Sequence, residues 1–129
     1  EDAALESKFP KQLIKGLANL GGFGGFLPIE FGGSQIDFTS YGLMMQELER
    51  GDSSLRVLSS VQSLVMNTIF KFGNDYLKSK YLKKLAKGEL VGSFGMSEPN
   101  HGSDPFSMKT NFKEKENHYI VNGVSNPTQ

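Results

Sequence analysis

The chain of 129 residues contains no cysteine. That excludes a disulfide framework and any zinc site built on thiolates, and it fits a reducing compartment. An excess of one charge is also missing, because 14 Lys and Arg balance 14 Asp and Glu. A neutral chain has no basic field with which to hold nucleic acid or an anionic membrane surface. The only histidines, His101 and His118, stand at no familiar metal-ligand spacing, so no metal site is expected. No apolar run approaches the roughly 18 residues that a membrane-spanning helix requires, so no membrane insertion is expected. The opening, EDAALESKFP, is acidic and lacks an apolar signal segment, so no targeting peptide is expected there.

Helix signals fill the first two-thirds of the sequence. Pro10 suits the first turn of a helix that runs through KQLIKGLANL to Gly21–Gly22, with Leu13, Ile14, Leu17 and Leu20 on one face. The glycine-rich GGFGGFLPIEFGGSQ then reads as a mobile or ligand-hugging loop. It is not a dinucleotide fingerprint: after Gly22 and Gly24 the third glycine would fall where Leu27 stands. Asp37 or Thr39 caps a second helix over roughly 38–50. Asp52 and Ser53 open a third, SLRVLSSVQSLVMNTIFKFG, with Gly73 as its stop. Asn74 caps a fourth, DYLKSKYLKKLAK, ending at Gly88, with Leu77, Tyr81, Leu85 and Ala86 on its inner face and lysines outside.

After Gly88 the pattern changes. LVGSFGMS, MKTNFKEK and HYIVNG read as strands, the last two joined by a Glu-Asn turn. The predicted fold is therefore mainly α with a short β region: a helical domain over 1–90 and the start of a β domain over 91–129. So small a β piece is not expected to stand alone, and the chain reads as part of a larger protein.

Two features invite chemistry. Between Ser53 and Phe70 the only charge is Arg56. A helix so poor in charge should be buried on most sides, and a cation in its first turn opposes the helix dipole and needs an anion. That anion is either an internal partner, Asp52 or Glu49, or a substrate carboxylate held by the guanidinium fork. The second feature is FGMSEPNHGSDP, residues 94–105. Gly95 and Gly102 allow close approach of backbone, Ser97 and Ser103 supply hydroxyls, and a turn-rich backbone can form an anion nest. Glu98 and Asp104 oppose a phosphate cradle unless they turn away to brace the loop. On composition alone a plain turn cluster fits equally well.

The spacing Ser97-Glu98-Pro99-x-x-Gly102-Ser103-Asp104, with small residues at Gly95 and Ser107, resembles the flavin-loop signature of the acyl-CoA dehydrogenase family. YGLMMQELERGDSSLR is similar to that family's helix pair, KYLKKLAKGELVGSFGMSEP to its next helix and first strand, and HYIVNG to the strand that follows. The likeness runs from Pro10 onward. It implies FAD as cofactor, lined by Phe94, Gly95, Met96, Ser97, Glu98, Pro99, Asn100, His101, Gly102 and Ser103, with the Ser97 hydroxyl near flavin N5. Ser103 would also meet the pyrophosphate and the CoA thioester arm. His101 departs from the pattern, since the family usually has a small residue there.

Within the family, ELERGDSSLRVLSSVQSLV most resembles the glutaryl-CoA dehydrogenase group. That likeness implies that Arg56 binds the free carboxylate of a glutaryl group, with Asp52 as an internal neighbour. Val57, beside it, replaces a serine common in that group. The implied reaction is α-proton abstraction from an acyl-CoA thioester and hydride transfer to FAD, with glutaryl-CoA going on to crotonyl-CoA. The partners implied are an electron-transferring flavoprotein and further copies in a homotetramer, in a bacterial cytoplasm or mitochondrial matrix. The catalytic glutamate of the family lies in a C-terminal helical bundle, so no catalytic residue is expected in this chain, which alone would be inactive. Glu98 belongs to the loop motif and not to the base position. The family's Trp-Ile-Thr run is also missing, as though about four residues had been skipped between Val124 and Ser125. An acyl-CoA oxidase on the same fold and a non-catalytic module binding CoA esters or a partner helix remain alternatives.

Overall fold

In the computed structural model, Phe9 and residues 11–124 are described. The helix start at Pro10, the acidic opening and the break before Ser125 lie outside the described residues. The chain forms two compact units that divide between Ser93 and Phe94.

The first unit holds four helices, α1 (Gln12–Asn19), α2 (Phe38–Gly51), α3 (Ser53–Phe72) and α4 (Asp75–Ala86), with a 3-10 turn at Ile29–Phe31. Local chemistry sets their ends. The Asp37 carboxylate accepts from the N–H groups of Thr39 (2.9 Å) and Ser40 (3.0 Å) at the start of α2. Asp52 accepts from Ser54 N–H (2.7 Å) and Asn74 from Leu77 N–H (2.9 Å), opening α3 and α4. Asp52, in extended conformation, is also the residue that ends α2. α1 and α4 both close on a left-handed glycine. At Gly21 (φ 73°) the N–H bonds to Ala18 O, and that of Gly22 to Leu17 O. At Gly88 (φ 64°) the N–H bonds to Leu85 O, and that of Glu89 to Lys84 O.

The buried apolar core is Leu17, Phe23, Leu27, Met66, Leu82, Leu85 and Ala86. Two of these, Phe23 and Leu27, come from the glycine-rich segment, which is a core element and not the mobile or ligand-hugging loop its composition predicts. Its backbone is held from α3: Ser63 Oγ accepts from Gly24 N–H (2.9 Å), and the Ser59 hydroxyl donates to Gly22 O. Burying polar backbone is tolerable when each group finds a partner, and here α3 supplies them.

The buried face of α3 is accordingly polar: Ser59, Gln62 and Ser63, followed one turn later by Met66. Gln62 donates through Nε2 to the carbonyls of Leu85 (2.9 Å) and Leu90 (2.8 Å) and accepts from Gly92 N–H (2.8 Å). α3 is not buried on most sides as its sequence predicts, because Val57, Leu64 and Phe72 are exposed. The inner face of α4 keeps the expected Leu85 and Ala86, with Tyr81 packed against the core, and differs at one position. Leu82 is fully buried with Leu85 and Ala86, while Leu77 stays 37% exposed. Both positions have helical spacing, and contact with the core selects between them. No residue of α2 is fully buried. That helix is held through Leu48, partly buried against the core, and through Tyr41 and Phe38, whose rings lie 5.3 and 5.9 Å from that of Phe26.

The second unit contains an antiparallel hairpin, β1 (Asn111–Lys115) and β2 (His118–Asn122), turning at Glu116-Asn117 as predicted. Its register pairs Asn111 with Asn122 and Phe112 with Val121. The Phe112 and Tyr119 rings meet edge to face at 5.7 Å. The predicted strand LVGSFGMS does not form. A strand requires a hydrogen-bonded neighbour, and among the described residues 91–97 pair with none.

Candidate functional site

Residues 94–104 form an extended loop closed by one reciprocal pair of backbone bonds. Glu98 N–H donates to His101 O and His101 N–H to Glu98 O, both at 3.1 Å. Both acidic side chains of the loop make bracing bonds, Asp104 at the surface and Glu98 in the interior. The Asp104 carboxylate takes the Ser107 hydroxyl. Glu98, only 8% exposed, accepts from Lys109 N–H (2.8 Å), Thr110 N–H (2.7 Å) and the Thr110 hydroxyl (2.6 Å). The Thr110 hydroxyl and then the two backbone donors hold the Glu98 carboxyl well below its ordinary value, at about 2. Glu98 is therefore ionised, with three of its acceptor sites taken.

The other predicted loop residues divide. Phe94 and Met96 expose apolar surface, Ser97 is half-buried and engaged, and Pro99, Asn100, Gly102 and Ser103 are exposed. A Cβ added at Gly102 would meet nothing within 4 Å. His101 is half-buried, and its Nε2 is the single buried side-chain polar atom without a partner among the described residues. The imidazole edges a cleft that Asn100, Lys109, Thr110 and Val124 also line.

Arg56 belongs to the first unit. Its Nε donates to Glu49 Oε2 at 2.6 Å, with the two side chains 39% and 48% exposed. The internal partner is thus Glu49, across the α2–α3 joint, and not Asp52, whose carboxylate caps α3. The Arg56 hydrogen bond and then the Ser53 hydroxyl hold the Glu49 carboxyl below its ordinary value. Val57 is exposed beside Arg56 and brings no polar side-chain group; its carbonyl takes the Ser60 hydroxyl at 2.9 Å.

Sequence reasoning missed Thr110 and Gly123. Counting outward from the Glu116-Asn117 turn places them opposite each other, just beyond the Asn111–Asn122 pair. Among the described residues no group of His, Asp and Glu could hold a metal ion, and no helix is long and apolar enough to cross a membrane.

Residues 1–89 match the family described as "Acyl-CoA dehydrogenase, N-terminal domain". The chain belongs to the acyl-CoA dehydrogenase family. Its helical unit and hairpin correspond to that family's N-terminal helical domain and the start of its β domain. Isovaleryl-CoA dehydrogenase, mitochondrial, of Pongo abelii is 40% identical over 95% of this chain and 29% of its own length. Glutaryl-CoA dehydrogenase of Desulfococcus multivorans is 35% identical over 96% of this chain and 34% of its own length. Among solved structures, a glutaryl-CoA dehydrogenase from Mycobacterium smegmatis in complex with FADH2 superposes with a TM-score of 0.86 at 37% identity. That superposition covers 91% of this chain and 30% of the other. The chain therefore spans about a third of the length of the relatives it matches.

The family's flavin is compatible with the loop found here. Gly95, Ser97, Gly102 and Ser103 keep it small, the Glu98 carboxylate is tied to the backbone at Lys109 and Thr110, and the imidazole of His101 carries a buried nitrogen without a partner.

Proposed function

We propose that these residues form the helical front and the cofactor loop of a flavin-dependent acyl-CoA dehydrogenase that oxidises glutaryl-CoA, and decarboxylates it to crotonyl-CoA. In this reading residues 1–90 are the N-terminal helical domain and 91–129 the start of the middle β domain. The observation that carries it is the 94–104 loop: Gly95, Ser97, Gly102 and Ser103 stand beside exposed Phe94 and Met96, with Glu98 withdrawn into bracing bonds and Asp104 held by Ser107. Bound FAD supplies the hydride acceptor. Phe94 through Ser103 hold it, with Glu98 acting through the loop's shape and not by direct contact. Ser103 also serves the CoA thioester. The base is supplied from outside these residues, so this chain alone is inactive.

Arg56 carries the substrate assignment. Its bond to Glu49 uses Nε and leaves the two Nη groups of the fork to take a second carboxylate, that of the glutaryl chain. Val57 adds no hydroxyl to that contact. The same reading makes an electron-transferring flavoprotein the acceptor and a homotetramer the assembly, in a bacterial cytoplasm or mitochondrial matrix.

A second reading has its own support. The 2.6 Å bond to Glu49 satisfies Arg56 internally, as a branched apolar acyl group such as isovaleryl would require. Specificity constants for glutaryl-CoA and isovaleryl-CoA separate the two. Glutaryl-CoA should be preferred, and Arg56→Lys should lower its kcat/KM by at least about tenfold, the scale of a lost charged hydrogen bond. Preference for isovaleryl-CoA with Arg56→Lys inert would remove the glutaryl assignment. Purified protein without flavin absorbance would remove the whole reading.

A further inference from the structure

We infer that Glu98, Thr110 and Gly123 form a latch that fixes the shape of the 94–104 loop, making Glu98 and Thr110 positioning residues for the cofactor site. The functional meaning of the latch rests on the flavin reading; the latch itself rests on contacts alone.

The loop has little of its own to hold it. No helix or strand runs from 91 to 104, and the Glu98–His101 bond pair closes its tip. Asp104 ties its end to Ser107, and Glu98 ties its middle to the hairpin. Glu98 Oε2 takes Lys109 N–H, while Oε1 takes both the N–H and the hydroxyl of Thr110. Lys109 and Thr110 immediately precede β1, so the carboxylate fastens the loop to the open end of the hairpin. Three donors on one nearly buried carboxylate fill most of its acceptor sites, which makes it a brace.

Gly123 completes the arrangement. A Cβ there would lie 2.1 Å from Thr110 Oγ1 and 2.7 Å from Thr110 Cβ. The hydroxyl that reaches Glu98 therefore occupies the volume that any other residue at 123 would fill. The glycine that reads in the sequence as the end of a strand is there for the Thr110 side chain.

The test uses the full-length protein, with Thr110→Val, Thr110→Ser and Gly123→Ala. Valine keeps the shape of threonine and loses the hydroxyl; serine keeps the hydroxyl. Amide hydrogen exchange is followed at residues 95–103 without added flavin, with residues 59–66 of α3 as the control for intact folding. Flavin affinity and the visible band are measured in parallel. Thr110→Val and Gly123→Ala should each speed loop exchange by about tenfold, the scale of a charge-assisted hydrogen bond, and Thr110→Ser should restore it. Flavin affinity should fall and the band move toward that of free flavin in the same two variants. Loop exchange unchanged in Thr110→Val overturns the latch, whatever the flavin does. A wild-type protein that binds no flavin removes the functional reading, while exchange still decides the latch.

Discussion

Gln62→Leu tests the polar seam that holds the helical unit together. Gln62 is 1% exposed and makes three hydrogen bonds to backbone. Leucine fits its volume and can make none of them. The Leu85 carbonyl keeps a bond from Gly88 N–H at 3.1 Å, so it is not orphaned. The Leu90 carbonyl and the Gly92 N–H lose the partner that Gln62 supplied. Each buried group left unpaired costs about 1–3 kcal/mol, so the two together cost roughly 2–6 kcal/mol. Leu90 is 39% exposed and its carbonyl regains some water, and a buried leucine returns about 1–2 kcal/mol of hydrophobic gain. The net expected loss spans roughly 0–5 kcal/mol and centres on about 2 kcal/mol. Urea unfolding of the full-length protein, read by helix circular dichroism, measures it as a fall in midpoint at unchanged slope. Amide exchange at Gly92 should rise at the same time. A loss below about 0.5 kcal/mol, the range of neutral surface changes, with Gly92 exchange unchanged would refute the argument that these bonds hold the 85–92 segment to α3.

Other outcomes follow from single contacts. Asn74→Ala should remove about 1 kcal/mol by deleting the cap of α4, seen as a lowered midpoint in the same unfolding experiment. Met66→Ala, at a fully buried position on the face of α3 that meets the glycine-rich segment, should cost about 2–5 kcal/mol, with the spread set by how far Phe23 and Leu27 collapse into the space. The Glu98 carboxyl should titrate near 2 in a carbon-13 pH series, against an ordinary value of 4.5. Because its folded value is depressed, its contribution is complete above about 4.5 and is lost as pH falls toward 2. A Glu98 midpoint near 4.5 would mean that the three donors are not engaged.

What could be read in the sequence was local. Asp37, Asp52 and Asn74 cap helices because a short polar side chain beside its own N–H groups needs no distant partner. The hairpin turn at Glu116-Asn117 was visible for the same reason. The glycine-rich segment was misread because its burial depends on Ser59 and Ser63, 37 and 39 residues away along the chain. Leu82 was missed because two stripes on α4 share helical spacing. The strand over LVGSFGMS failed because strand propensity needs a neighbour to become a strand. At the loop, the motif marks the segment and a bracing role for Glu98, while its partners, Lys109 and Thr110, lie eleven and twelve residues away and are set by the fold. Glu49 was one of two candidates for Arg56; the joint at Asp52 brings it within reach from the preceding helix.

That joint has a mechanical side. A single extended residue connects α2 to α3, and α2 is 14 residues long. At 1.5 Å per residue it is a lever of about 21 Å, so a rotation of about 10° at Asp52 sweeps its far end through about 4 Å. The Glu49–Arg56 bond lies close to the pivot and shifts by only a fraction of that. Such a rotation would part the Phe38 and Tyr41 rings from Phe26 long before it opened the charge pair, so those two aromatic contacts, and not the ion pair, set the angle of α2.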